Sequence, residues 1–428
     1  MNERERIRLE DFRQLKKEIR GSKDHLIVGI DIAKDKHKAF FGTATGQTLL
    51  KRLVFENTAL GFERLLIQTE AIKVQHGLTK VVFGLEPTAN YHKPLAEFLI
   101  KGGHQVVLVS AVAVNKNREL LDGRWDKHDT KDSANVADLI SQGKCLYYDY
   151  PSSRLRDLRS LLSLKRRVKK QEHGVKVRIR NHLLAHYFPE FDRYFAKGSR
   201  EGLAIVKWCL HPSMIAGMEY AEFTQLVAPH IKTLGQEKRL KSVWELAGDS
   251  IGCDGGEALN FEAKLMVKDL EGIRDALRAV DERIEAICLH FPEYRYLLSI
   301  PGFGPDVSSK VLGAIGNPFR FTSGKQVLKL TGYDLSAHRS GKSSDSAVPV
   351  ISKRGKASLR YALYQAAFVA STSNRHFIAY YTDKLRGRQR EKGIKTKMRV
   401  KLAAKMMIIA WTLMKNKEPF DPEYLKRD

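Results

Sequence analysis

Asp31, Glu86, Asp129 and Asp132 are the residues whose types and placement point most directly to chemistry. Asp31 ends the apolar run Leu26-Ile27-Val28-Gly29-Ile30, and Glu86 ends Val81-Val82-Phe83-Gly84-Leu85, so both are expected at the exits of buried strands. Asp129 and Asp132 lie three apart in a segment that reads as a helix, and therefore share one face. Four carboxylates converging on one point are hard oxygen ligands for Mg²⁺. Two such ions, roughly 3.5–4 Å apart, stabilise both the attacking and the leaving oxygen of a phosphoryl displacement. Taken singly, an acid after a strand is an ordinary turn residue or helix cap, and an acid pair at helical spacing is an ordinary solvated face.

The order of elements around the acids separates these readings. From residue 24 the periodicities predict a strand, a strand over 37 to 42, a strand over 47 to 55, a helix over 58 to 74, a strand over 79 to 85, a helix over 91 to 102, a strand over 104 to 110, and then helix. That is the order of a ribonuclease-H-like α/β fold, with each acid at the station where such a fold holds metal.

At 428 residues the chain has room for two or three domains. Lys plus Arg is 74 against 49 Asp plus Glu, a net charge of +25 that favours a polyanionic partner, because each neutralised phosphate releases counterions. Nucleic acid fits better than a membrane surface: no stretch approaches the roughly 18 apolar residues of a span, and acids occupy the start, where a signal peptide has an apolar core. A bacterial or archaeal cytoplasmic, nucleoid-associated protein is expected. Cys145, Cys209, Cys253 and Cys288 are scattered without a C-x-x-C pair, so buried thiols are expected rather than zinc ligands or disulfides.

After Pro151 the stripe Leu155, Leu158, Leu161, Leu162, Val168, Val175, Ile179, Leu183 predicts a long amphipathic helix. Its other face, with Lys165, Arg166, Arg167, Lys169 and Lys170, is a candidate phosphate-binding surface. A second long helix, from about Ala258 to His290, suggests an antiparallel pair or a coiled coil, and a helical insert at 190 to 255 carries no legible chemistry. Farther on, Pro301-Gly302-Phe303-Gly304-Pro305 between two apolar helical runs looks like a helix-hairpin-helix, in which Gly302 and Gly304 permit a tight turn and the next helix offers backbone N–H groups to phosphate. In the polar loop that follows, Ser340 and the alternatives Ser343 and Ser344 lie among Arg339, Lys342, Lys353, Arg354 and Arg360, whose field would stabilise an alkoxide. The segment 380 to 414, with Arg386, Arg388 and Arg390, reads as another nucleic-acid surface, with Tyr380 and Tyr381 as stacking faces.

Gly29-Ile30-Asp31-Ile32-Ala33-Lys34, Glu86-x-Thr88-x-x-Tyr91, Asp129-x-x-Asp132, Ile300-Pro301-Gly302-x-Gly304-Pro305, Ser340-Gly341 and Ile351-Ser352-Lys353-Arg354-Gly355 occur in the order and spacing of a known family. Over about 24 to 145 and 291 to 420 the chain resembles the DEDD transposases of the IS-one-ten insertion-sequence group, which includes Piv-type invertases. Ser133 replaces the Ala usual after the last Asp, and Pro87 is unusual beside the glutamate. The charged tail at 1–23 and the helical coiled-coil region with insert over 150–290 are read from the residues alone; the resemblance implies a RuvC-like catalytic domain over 24–149 and a mostly α C-terminal transposase domain over 291–428. It further implies Mg²⁺ on the four acids, covalent attachment of Ser340 to DNA, a dimer or tetramer in which different subunits complete one site, and a bridge RNA pairing with donor and target DNA. A transposase or site-specific recombinase is therefore expected. The rival readings are an invertase using the same residues, a junction-resolving nuclease in which water attacks, and a non-catalytic binder on a dead nuclease fold.

Overall fold

The computed structural model describes residues 3–122, 129–195, 198–336 and 350–426, and it divides into two compact units, Met1–Ser152 and Ser153–Asp428. The first unit contains, in chain order, α1 (Glu3–Glu18), β1 (His25–Asp31), β2 (Lys36–Thr43), β3 (Thr48–Glu56), α2 (Ala59–Gln75), β4 (Lys80–Leu85), α3 (His92–Lys101), β5 (Gln105–Leu108), α4 (Ala111–Asp122), α5 (Asp129–Ser141) and β6 (Leu146–Tyr147). Among the described residues the strands form one six-stranded sheet in the order β3-β2-β1-β4-β5-β6. β1 pairs antiparallel with β2 and parallel with β4, and β4 pairs parallel with β5. Parallel neighbours need crossovers, which α2 and α3 provide.

Strand alternation sorts the core into two layers. Leu26, Val28 and Ile30 of β1 join Phe83 and Leu85 of β4 against Phe62 and Leu65 of α2 and Leu95 and Leu99 of α3. Ile27, Val82 and Val107 face the other way, against Leu15, Ile19, Val136 and Ile140. The predicted strands and helices of this region are all present. Residues 1–23, expected as a tail, instead carry α1, with Leu9, Leu15 and Ile19 buried. Arg8 of α1 donates hydrogen bonds to the carbonyls of Tyr148 (2.8 Å) and Tyr150 (3.5 Å), and its guanidinium lies 5.5 Å from the Tyr147 ring centroid.

The second unit opens with α6 (Ser153–Arg178), continued by a π-helical turn at Ile179–Leu184. Its partner is a return helix, Glu257–Cys288. Lys165 meets Asp281 and Glu172 meets Arg274, so seven residues forward on one helix is seven back on the other, and the two are antiparallel within the chain. Near one end Val175, Val267 and Leu270 share a core with Phe191, Phe195 and Phe223 of the insert. Near the other, Leu158, Val280 and Ile284 join the helices Pro292–Leu298, Pro305–Ile315, Ala357–Ser373, Arg375–Leu385 and Ile394–Asn416. Burial pushes the Cys209 and Cys288 thiols up to about 12, and Cys145 is likewise buried. Cys253 departs from expectation and is exposed. Among the described residues no helix is long and apolar enough to cross a membrane.

Candidate functional site

In the parallel register of β1 and β4, Gly29 stands opposite Gly84 and Ile30 opposite Leu85. Asp31 and Glu86 follow at the same step of neighbouring strands, and the Glu86 amide donates to the Ile30 carbonyl at 3.5 Å. By alternation each acid points to the same face as the glycine two residues before it, and that face is covered by α5. The glycines make this cover possible. A Cβ on Gly29 would lie 2.2 Å from the Ser133 carbonyl oxygen and 2.7 Å from the Ala137 nitrogen, and one on Gly84 would lie 1.9 Å from Ile140 Cδ1. Helix α5 therefore seats directly on backbone, with Asp132, only 4% exposed, beside the strand that ends in Asp31. Asn117 Nδ2 donates to Asp138 Oδ2 (2.7 Å) and Asn135 Oδ1 (3.2 Å), tying α4 to α5.

In the sequence Gly29 counts only as part of a family motif and Gly84 as part of an apolar run, neither as the seat of a helix. The repeated pattern Gly-apolar-acid, Gly29-Ile30-Asp31 and Gly84-Leu85-Glu86, was the available signal. Asp31, Glu86 and Asp132 are each engaged by neighbouring groups. Asp129 starts α5, and its side chain lies outside the described residues. Among the described residues no three His, Cys, Asp or Glu side chains stand close enough to hold a metal ion. The chemistry of the donor set, carboxylates without His or Cys, suits a hard divalent cation.

The basic face of α6 needs a correction. Lys165 is buried, and its Nζ lies 2.6 Å from Asp281 Oδ1 and 2.5 Å from Asp306 Oδ1, while Lys310 Nζ lies 2.5 Å from Asp306 Oδ2. It pins α6 to the return helix and to the hairpin helix Pro305–Ile315, rather than facing phosphate. Burial would raise the Asp306 carboxyl, but the hydrogen bonds from Lys165 and Lys310 outweigh it and hold it down to about 2. Arg166, Arg167, Lys169 and Lys170 are exposed, as expected. At the hairpin, Gly302 has φ +86° and approaches the Ala366 carbonyl so closely that a Cβ would lie 2.4 Å from it, and Gly304 is the N-cap of the following helix. Asp306 sits in the first turn of that helix, where its carboxylate competes with any incoming phosphate.

Ser340, Ser343, Ser344, Arg339 and Lys342 lie outside the described residues. The segment is flanked by β7 (Leu335–Ser336) and β8 (Val350–Ile351), which pair antiparallel. Ser352 Oγ donates to Asp334 Oδ1 at 2.6 Å beside this pair, and Lys353 has φ +55°. Lys353 and Arg354 are exposed. Arg360 instead donates from Nη1 to the carbonyls of Thr331 (3.0 Å) and Lys353 (3.3 Å), so it fastens the segment. Arg386 and Arg390 are exposed, whereas Arg388 is in a two-pronged ion pair with Glu391 at 2.8 and 2.9 Å. Tyr381 is buried and offers no open stacking face, while Tyr380 is half-buried with Lys384 5.5 Å from its ring centroid.

Comparison with known proteins finds matches over both regions that carry candidate residues. Residues 28–189 match a DEDD transposase model of the IS110 type, and residues 294–382 match the IS116/IS110/IS902 transposase family. The chain resembles the IS110-family transposases. An insertion element IS110 uncharacterized 43.6 kDa protein of Streptomyces coelicolor is 21% identical over 402 residues, which span 91% of this chain and 94% of that relative. The first IS110-type match contains all four acids; the second runs from the hairpin through the Ser340 segment into the helix Arg375–Leu385. Together the two matches support a transposase or recombinase function, that of an enzyme acting on DNA.

Proposed function

We propose that the chain is the transposase or site-specific recombinase of an insertion sequence, with a ribonuclease-H-like domain over 24–149 whose acids Asp31, Glu86, Asp129 and Asp132 hold Mg²⁺, and with Ser340 in the 291–428 domain as nucleophile. The observation that carries this reading is the shared face of Asp31 and Glu86, with α5 and Asp132 seated against it by Gly29 and Gly84. The strand order, three antiparallel strands followed by two parallel ones, supports the ribonuclease-H-like assignment. Bound Mg²⁺ would supply positive charge to the phosphate oxygens and to the leaving oxygen.

The chain's own residues then divide the work. Ser340 Oγ forms a bond to the scissile phosphorus, the bond from phosphorus to the leaving strand oxygen breaks, and the serine proton ends on that oxygen. The serine–phosphate bond keeps the energy of the phosphodiester, so a strand hydroxyl that attacks it rejoins DNA and regenerates the serine without a further energy source. Arg339, Lys342, Lys353 and Arg354 supply the local positive field, and a bridge RNA would select donor and target by base pairing.

The experiment is adduct trapping. Ser340→Ala, Ser343→Ala and Ser344→Ala are each incubated with suicide-substrate DNA and any guide RNA, then denatured and run on a gel. The covalent adduct is expected to vanish only in Ser340→Ala. Its persistence there with loss in a neighbour moves the nucleophile, and absence of any adduct in an actively cleaving wild type overturns the serine mechanism in favour of water.

A further inference from the structure

The helices Ala357–Ser373 and Ile394–Asn416 pack together, and neither contains a single Asp or Glu. On the first, Tyr361 and Phe368 are seven residues apart, two turns, and so share one stripe of the helix surface. Tyr361 is 66% exposed and Phe368 is 43% exposed, large rings left in water where the helix buries Leu359, Leu363 and Ala366 on its opposite side. From the second helix Arg399 reaches across: its guanidinium lies 4.6 Å from the Phe368 ring centroid and 5.5 Å from that of Tyr381. Arg399 makes no ion pair with a carboxylate among the described residues, and its buried Nε has no hydrogen-bond partner there. Lys395, one turn earlier on the same helix, is exposed, and its carbonyl accepts a hydrogen bond from Tyr381 Oη at 3.1 Å.

Exposed flat rings beside uncompensated cations, with no acid on either supporting helix, fit a ligand that alternates aromatic faces with negative charge. We infer that Tyr361, Phe368 and Arg399 form a stacking platform for unpaired nucleotides, on which bases lie against the two rings while Arg399 and Lys395 take the adjoining phosphates. A paired duplex keeps its base faces covered and gains only the cations. The platform thus selects single-stranded nucleic acid, DNA or RNA, and it rests on the reading of the chain as an enzyme acting on DNA.

The test uses the full-length protein and measures fluorescence anisotropy with labelled oligo-dT, oligo-U and a mixed-sequence duplex across a salt series. Tyr361→Leu and Phe368→Leu keep apolar bulk at the surface, and circular dichroism checks their fold. Each is expected to weaken single-strand binding about tenfold while leaving duplex binding and the salt slope unchanged, because a ring contributes stacking and no charge. A 2-aminopurine base in the strand should lose its fluorescence on binding wild type and keep more of it on the double variant. The dT and U arms show which strand the platform takes. Unchanged single-strand affinity in both variants, or equal loss on strand and duplex, overturns the platform and leaves the DNA-acting reading standing. A wild type that binds no nucleic acid at all overturns both.

Discussion

Replacing a carboxylate of the acidic set by its amide removes charge with almost no change of shape. Asp31→Asn and Asp132→Asn are accordingly expected to abolish recombination while DNA and RNA binding stay near wild type. Full activity of either variant in Mg²⁺ would remove the acids from the chemistry. Asp31 and Glu86 were legible as candidates only through the order of strands and helices around them, since an acid after a single strand is an ordinary turn residue or cap. Lys165 was not: within a run of cations nothing in one sequence says which position turns inward. Lys165→Ala should cost roughly 2 kcal/mol in urea unfolding, less than a fully buried pair because Asp281 and Asp306 keep contact with water, and it should leave the salt dependence of DNA binding unchanged. A flattened salt slope with unchanged stability would return Lys165 to the phosphate-binding set.

At the scale of elements, α5 is positioned by what two strands lack. Gly29→Ala drives a methyl against the Ser133 carbonyl, a backbone atom that can yield only if the helix moves. The expected cost is about 1–3 kcal/mol, together with a loss of recombination out of proportion to that cost, since the movement takes Asp132 from β1. Thermal unfolding and a recombination assay on the same preparation check this; wild-type activity in the variant would mean that the seating of α5 does not matter to the site. Helix α1 shows the opposite limit of sequence reading. Leu9, Phe12, Leu15 and Ile19 have helical spacing, yet dense charge around them made the segment read as a tail, and only the sheet face of Ile27, Val82 and Val107, against which Phe12, Leu15 and Ile19 pack, reveals that stripe as a packing face.

For the whole molecule, charge decides both partner and pH behaviour. Removing Arg166, Arg167 and Lys170 together should flatten log K against log salt by roughly 2–3 for duplex DNA, since these side chains are exposed and each phosphate contact releases counterions. An unchanged slope would make that face mere solvated surface. The Lys165–Asp306–Lys310 group gives a second handle. The Asp306 carboxyl falls from an ordinary 3.8 to about 2 on folding, so its stabilisation is complete above 3.8 and is lost as pH drops towards about 2. For Lys165, burial opposes the charge, but Asp281 and Asp306 outweigh it and raise the ammonium above its ordinary 10.5; that contribution is present below 10.5 and fades at higher pH. Asp306→Asn should shrink the acid limb of a urea-midpoint profile, and an identical limb in the variant would assign acid lability to other carboxylates.

By itself the sequence determined the strand and helix order from β1 through β5, the acids as candidates, the two long helices and the family resemblance, because each is written in local periodicity or in short fixed spacings. The tertiary structure decided which cations face water, which rings stay open and what seats the acidic helix. Those properties depend on what lies across the space between segments far apart in the chain: Lys165 meets Asp306, Arg399 meets Phe368, and Gly29 meets Ser133. Spacing along a chain carries no record of such distances, and only packing sets them.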